Sequence, residues 1–449
     1  MKKTNKNNKI GQPLILVSYA LVLLFILSLF KLPIGILNGL EKIDLLADIR
    51  KDEPKPVPTN VVIKDTIAVS KNESPTMDST LIIDFDSTCP LKHFYQKLDG
   101  AKLAGKKVRI AYFGDSFVEG DEVTDELRLQ LQKLFGGNGI GFLPMQSNVA
   151  SLYTQVRINS SGWIDYNFRD NPYKFPLGLS GHVFHPFRNG EADYFPKTNN
   201  LPTEVKLYTG RMFNYTVVFT MTNGKSVVAA LNTDKLINET ALGNGEPIKS
   251  FKITTTNEDI PFYGVSLEGT KGVYLDNYSF RGNNSILTQQ ISSDVMAQFN
   301  SFLHYDLIIV HYGLNALEHD KQKSPWFENS MNTVIKNIRK GFGNVPILLV
   351  STSDLGYKYN GKYATEKAVP YMVATQKEIA RSHKVAFWNL FEAMGGENTM
   401  VDWVEGDTIL AAKDYTHLNT NGAKRLGDLF FNKLIASKNY YQQLSITKK

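Results

Sequence analysis

Cysteine is nearly absent from this 449-residue chain. Cys89 stands alone, so no disulfide can close within a monomer. No Cys-centred motif surrounds it that would mark a reactive thiol. Net charge is also scarce. The formal balance is +6, and Lys2, Lys3, Lys6 and Lys9 carry four of those charges in a stretch, 1–12, that holds no acid. What is left on the body excludes a strongly basic, nucleic-acid-binding surface. No tandem repeat is visible.

Charge vanishes from PLILVSYALVLLFILSLF, residues 13–30. At about 1.5 Å per residue, this run reaches most of the way across a ~30 Å hydrocarbon core. A cleaved signal peptide shares the basic flank and apolar run, but no Ala-x-Ala-like site follows. The reading is therefore an uncleaved transmembrane anchor over 13–37, behind a basic tail (1–12). The positive flank stays cytoplasmic, and the body faces the other side. Residues 38–80, with Pro54, Pro56, Pro58 and Pro75, make a juxtamembrane segment and a semi-extended tether.

Beyond the tether, the periodicity changes twice. KVRIAYFGDS reads as a buried strand and turn, and EVTDELRLQLQKLF (122–135) has helical spacing stopped by the glycines of GGNGIGF. From 145 to 275, short β-type runs such as YTVVFTMTN and SFKITTT replace helices, which predicts an inserted all-β, sandwich-like unit. Afterwards, helices are predicted at 293–303, 329–342 and 371–384, and strands in YDLIIVHYG, VPILLVSTSD and VAFWNL. This alternation implies an α/β fold with a mostly parallel sheet and right-handed crossovers. The domain plan is thus 81–144, an insertion at 145–275, the rest of the α/β domain at 276–440, and a tail at 441–449. Sites in such sheets lie at the carboxyl ends of strands, where GDS (114–116), GLN (313–315) and STSD (351–354) fall.

A serine hydroxyl attacks only when a base takes its proton, and the base needs an orienting partner. Ser116 is the candidate nucleophile, although GDS is also compatible with a plain turn. Of eight histidines, His93, His304 and His383 sit in helical contexts, His182 and His185 lie in the insertion, His311 is on a core strand, and His319 is in a charged loop. His417 differs: in KDYTHLNTNGAK, Asp414 stands at i−3 and can reach its Nδ1 side. The competing reading makes Asp414 or Thr416 a helix cap with His417 exposed. A developing oxyanion needs donors. The Ser116 amide qualifies if its turn opens a helix, and Gly282 in SFRGNNS and Asn315 in HYGLNAL are further candidates. Asp115 is read as shaping the turn, and Asp354 as an alternative partner should Asp414 prove remote. Tyr153, Trp163, Tyr166 and Phe168 are either core or sugar-stacking rings.

In chain order, GDS, RGN, GLN and DYTH resemble the four blocks of the SGNH (GDSL-type) hydrolases. One departure is Ala316, where this family frequently has Asp. The long insertion, GVYLDNYSFRGNNS (272–285) and the anchored layout are similar to peptidoglycan O-acetylesterases of Gram-negative bacteria, whose insertion resembles a carbohydrate-binding module. The resemblance implies a three-layer SGNH-type fold and an esterase acting on an acetylated envelope glycan. It assigns Ser116 as nucleophile, His417 as base and Asp414 as its orienter, with an oxyanion hole of Ser116, Gly282 and Asn315. It calls for no metal and no cofactor, and it puts the chain in the inner membrane as a single-pass protein with its catalytic domain in the periplasm. An O-acetyltransferase using the same acyl-serine is the alternative, and a non-catalytic glycan-binding protein a third reading.

Overall fold

The computed structural model describes residues 78–211, 216–221, 224–231, 234–243, 245–256 and 260–447. The basic tail, the expected anchor over 13–37 and the tether up to 77 lie outside the described residues. Among the described residues, no helix is long and apolar enough to cross a membrane.

Short strand β1 (Ile83–Asp84) leads into α1 (Pro90–Ala104), β2 (Lys107–Gly114) and α2 (Glu122–Phe135). β3 (Gly141–Leu143), β4 (Val156–Asn167), β5 (His182–Pro196), β6 (Glu204–Gly210), β7 (Thr216–Met221), β8 (Ser226–Ala230), β9 (Ile237–Ala241), β10 (Phe251–Thr255) and β11 (Phe262–Glu268) follow. The α/β rhythm resumes with β12 (Gly272–Ser279), α3 (Ser293–Leu303), β13 (Leu307–His311), α4 (Pro325–Phe342) and β14 (Ile347–Val350). After the hairpin β15 (Gly356–Tyr359) and β16 (Lys362–Thr365) come α5 (Ala368–Ser382), β17 (Ala386–Trp388), α6 (Leu390–Met394), α7 (Thr399–Glu405) and α8 (Thr420–Thr447).

The central sheet runs β1-β17-β14-β13-β2-β12. Its pairs are parallel except the β1 edge. β2 shows why an unbroken apolar run suits its middle. Val108, Ile110 and Tyr112 face a layer that includes Leu98 of α1, Leu127 of α2 and Phe430 of α8. Ala111 and Phe113 face the opposite layer, with Phe299 of α3, Ile338 of α4 and Val373 of α5. Both faces are covered, as parallel sheets require. The three layers of the α/β expectation are present. α4 starts four residues earlier than its periodicity predicts, because Pro325 suits the first helical turn and Phe327 is buried.

The remaining strands form the all-β unit that the sequence predicts. β8-β7-β10-β5-β11-β6-β9, with β3 on β11 and β4 on β5, make one hydrogen-bonded, nine-stranded sheet in which β10 pairs with 190–194 of the long β5 and β11 with Phe184. Both faces of β11 are covered, and its seven residues are all buried. Phe262, Val265 and Leu267 enter a core private to this sheet, with Trp163, Tyr194 and Phe251. Tyr263 turns the other way, onto the α/β body. There, Phe142, Tyr208 and Tyr263 all contact the ring of Phe299. The β unit therefore has a core of its own and a second apolar contact with the body. The sheet draws its strands from 141–268, and Gly272–Ser279 is a strand of the central sheet. α8 continues through the stretch read as a C-terminal tail.

A buried ionic network stitches the two sheets. Arg109 of β2 donates to both oxygens of Asp276 (2.6 and 2.9 Å), to Glu268 (2.6 Å) and to Ser266 (2.7 Å). Asp276 also accepts from the Phe142 amide at 2.8 Å and the Tyr305 hydroxyl at 2.6 Å. Gly141, at φ +84, belongs here: a Cβ would stand 2.2 Å from the Asp276 oxygen.

Candidate active site

Ser116 stands at the carboxyl end of β2. The chain turns so tightly there that a Cβ on Gly114 would meet Val118 Cγ2 at 2.3 Å. The amides of Val118 and Glu119 donate to the carbonyls of Asp115 (3.3 Å) and Ser116 (3.4 Å), and α2 begins only at Glu122. Ser116 therefore rides a turn, not a helix start. Among the described residues, no backbone acceptor takes its amide or that of Gly282.

His417 arrives from 301 residues away and places Nε2 3.0 Å from Ser116 Oγ. Its Nδ1 lies 2.8 Å from Asp414 Oδ2. The other Asp414 oxygen accepts the amides of Thr416 and His417, both at 3.0 Å. Burial pushes this carboxyl up, but those amides and the His417 ring outweigh it and hold it below its ordinary range. The helix-cap reading fails: Asn419 accepts the Gly422 amide at the start of α8 instead. Tyr415, between the pair, adopts a left-handed φ of +55. Its ring stacks on Tyr363 of the hairpin at 3.5 Å, and its carbonyl accepts the Gly356 amide at 2.9 Å. The hairpin thus holds a strained turn in place. The positive φ leaves no sign in the sequence.

Asn315, exposed in a short 3-10 turn after β13, extends Nδ2 to Asp115 Oδ2 (3.0 Å) and to the Asn283 carbonyl (3.5 Å). Ala316, where the resemblance leads one to expect Asp, is buried, and the Asp115 carboxylate supports the Asn315 amide. Asp115 also accepts the Phe117 amide at 3.0 Å. Beneath the turn, Gln376 donates to the Tyr312 carbonyl (2.6 Å) and accepts from Thr352 (2.8 Å), a clamp on a distant helix that carried no sequence signal. Gly282, at φ +72, lies against Arg169, whose Nη2 donates to the Arg281 carbonyl at 2.6 Å.

Burial pushes the Asp115 carboxyl up to about 6, against the pull of the Phe117 amide, the Asn315 amide and His417. Because that exceeds the usual 3.8, its contribution to stability is full below 3.8 and is lost as pH rises through about 6. Asp115→Asn is therefore expected to raise the urea midpoint relative to the native chain at pH 7 and less so at pH 4. It is also expected to lower kcat about tenfold to a hundredfold, by loosening the Asn315 amide, a candidate oxyanion donor. An unchanged kcat would remove Asp115 from the site.

The other candidates sit elsewhere. Asp354 is fully buried and accepts the Met400 amide (2.8 Å), so it serves the α7 loop rather than His417. His311 packs in the core with Nδ1 2.9 Å from the Tyr112 hydroxyl. His319 pairs with Glu366 at 2.7 Å and Asp320 at 3.2 Å. Trp163 and Phe168 are core, whereas Tyr153 and Tyr166 are partly exposed. Cys89 is half-buried, and burial pushes its thiol up to about 11, away from reactivity.

Residues 244–425 match the GDSL-like lipase/acylhydrolase family. The match includes Gly282, Asn315, Asp414 and His417 but not Ser116, which the fold delivers from the far side of the insertion. No curated protein matches the sequence. Among solved structures, a peptidoglycan O-acetylesterase shares the fold, with TM-score 0.66 at 22% identity, over 80% of this chain and 99% of its own. An acetyl xylan esterase (17% identity, 36% of this chain, 80% of its own, TM-score 0.28) is more distant. So is a family two carbohydrate esterase from Cellvibrio japonicus (8%, 64%, 99%, TM-score 0.26). The segment similar to the GDSL-like lipase/acylhydrolase family thus carries a histidine that the fold sets at hydrogen-bond distance from a serine outside that segment, on an α/β fold shared with a peptidoglycan O-acetylesterase.

Proposed function

We propose that this chain is a serine esterase that removes O-acetyl groups from a cell-envelope polysaccharide, peptidoglycan foremost. The observation that carries the chemistry is the Ser116–His417–Asp414 chain of contacts, 3.0 and 2.8 Å long. Ser116 Oγ attacks the acetyl carbonyl, and its proton passes to His417 Nε2. Asp414 holds the imidazole by Nδ1 and stabilises its cationic form. The amides of Ser116 and Gly282 and the Asn315 side chain donate to the oxyanion. The Asn315 hydrogen on its long, 3.5 Å contact with Asn283 is the one free to turn to substrate. Collapse expels the sugar hydroxyl, which regains a proton from His417, and water then releases acetate.

Hydrolysis is favoured over transfer to another sugar by the openness of the pair. The His417 and Asp414 side chains are 44% and 50% exposed, so water reaches an acyl-serine freely. The glycan assignment draws on the fold shared with a peptidoglycan O-acetylesterase. An inner-membrane anchor with a periplasmic body is part of the same reading and rests on residues 1–37 of the sequence.

The full chain should release acetate from O-acetylated peptidoglycan at least tenfold faster than from acetylated xylan, and the Ser116→Ala chain from neither. Preference for xylan would overturn the glycan assignment. Acetylated acceptor in place of free acetate would make the enzyme a transferase.

A further inference from the structure

A cavity of about 400 Å³ adjoins the two loops that carry Ser116 and Gly282. The α/β body lends it Glu119, Phe280 and Arg281, and the second sheet lends Asp165, Arg169 and His182. Its walls touch the site directly. The Glu119 amide donates to the Ser116 carbonyl, while its carboxylate accepts from the Arg281 amide (3.1 Å) and Nε (2.8 Å). Arg169 lies so close to Gly282 that a Cβ there would stand 2.4 Å from its Nη2.

The lining indicates what the cavity takes. Two carboxylates, Glu119 and Asp165, face two guanidiniums, Arg169 and Arg281, so it offers no excess charge for a nucleotide or polyphosphate. His182 Nδ1 bonds Asp165 at 2.8 Å, and these side chains are 23% and 17% exposed, within reach of a ligand. The couple presents acceptors and a ring nitrogen side by side, suited to neighbouring hydroxyls. Phe280 adds an aromatic wall, partly covered by the Arg169 guanidinium at 5.6 Å. Polar groups converging beside an aromatic surface, in a volume of this size, describe a small-molecule pocket.

We propose that this cavity is a subsite for a neutral sugar ring of the acylated polysaccharide, bound through Asp165 and His182. Arg169 sets the position of that ring relative to Gly282. The second sheet then acts as a specificity element for the hydrolase, although none of its residues touches the reacting atoms. This inference rests on the polysaccharide-esterase reading, and two substrates keep their failures apart.

In the full chain, Asp165→Asn and His182→Gln should each lower kcat/KM on O-acetylated peptidoglycan at least tenfold, mainly through KM. They should leave kcat/KM on p-nitrophenyl acetate, which has no sugar, within twofold. Equal losses on both substrates would mark a structural role and overturn the subsite, and so would an undiminished rate on the polymer. Independently, the Ser116→Ala chain should bind N,N′-diacetylchitobiose by calorimetry, and adding Asp165→Asn should weaken binding at least fivefold. Absence of binding, or binding indifferent to Asp165→Asn, also overturns it. If Ser116→Ala instead hydrolyses p-nitrophenyl acetate as fast as the native chain, the esterase reading falls, whatever the disaccharide does.

Discussion

Ser116→Ala is expected to lower kcat for p-nitrophenyl acetate by about 10⁴-fold or more, with the fold unchanged. In the proposed mechanism the variant removes the atom that forms the acyl-enzyme and leaves the oxyanion donors standing, so a small residual rate over water should persist. Loss of fold is not expected, because the hydroxyl's bond is to His417 and the side chain is only half-buried. Thermal melting within about 2 °C of the native chain, beside the lost rate, is the expected pair of results. His417→Ala should cost a similar factor, and the double variant little more, because the two act as one unit. Additive losses would indicate that Ser116 and His417 work separately and would break the proposed mechanism.

Arg109→Leu is expected to destabilise the body by about 3–5 kcal/mol, the range for stripping one partner from a buried ion pair. Arg109 is 4% exposed, and its removal leaves Asp276 and Glu268 buried without their main cation. Glu268 carries the pH signature. Burial pushes its carboxyl up, but Arg109, Lys206 and Lys107 outweigh that and hold it well below the carboxylate range. A lowered folded value gives stability that is present above the unfolded pKa and is lost as pH falls through the folded one. The deficit of Arg109→Leu should therefore be largest near pH 7 and shrink toward pH 4, as measured by urea unfolding. A triple variant that also carries Glu268→Gln and Asp276→Asn should recover part of the loss, since no buried charge is left unpaired. A deficit independent of pH would mean that shape, not charge, makes Arg109 matter.

Different parts of this molecule were legible to different degrees. Helix 122–135 coincides with α2, because Val123, Leu127 and Leu131 repeat at the helical period and glycines end it. α5 was displaced by about three residues, from 371–384 to Ala368–Ser382, since Lys384 at φ +51 marks the exit and no sequence pattern encodes a single left-handed residue. The second sheet was visible as β texture, but the order of its strands was not. Alternation shows that a strand has two faces; it does not show which partner covers each.

The candidate triad was readable because its parts are local. Asp414 and His417 share one turn and GDS ends one apolar strand; spacing alone left a helix cap and a plain turn open, and the four-block resemblance to SGNH hydrolases singled these residues out. The surroundings of Asn315 were not. Its supporting carboxylate, Asp115, is 200 residues upstream, and the clamp on its turn, Gln376, sits on another helix. Such pairings arise when parallel strands bring their carboxyl ends side by side, and no periodicity along the chain records which ends will meet. The same holds for Arg169 against Gly282. Motifs in their order along the chain thus named the candidate groups. The packing of one sheet against the other settled how they are held and what lies beside them.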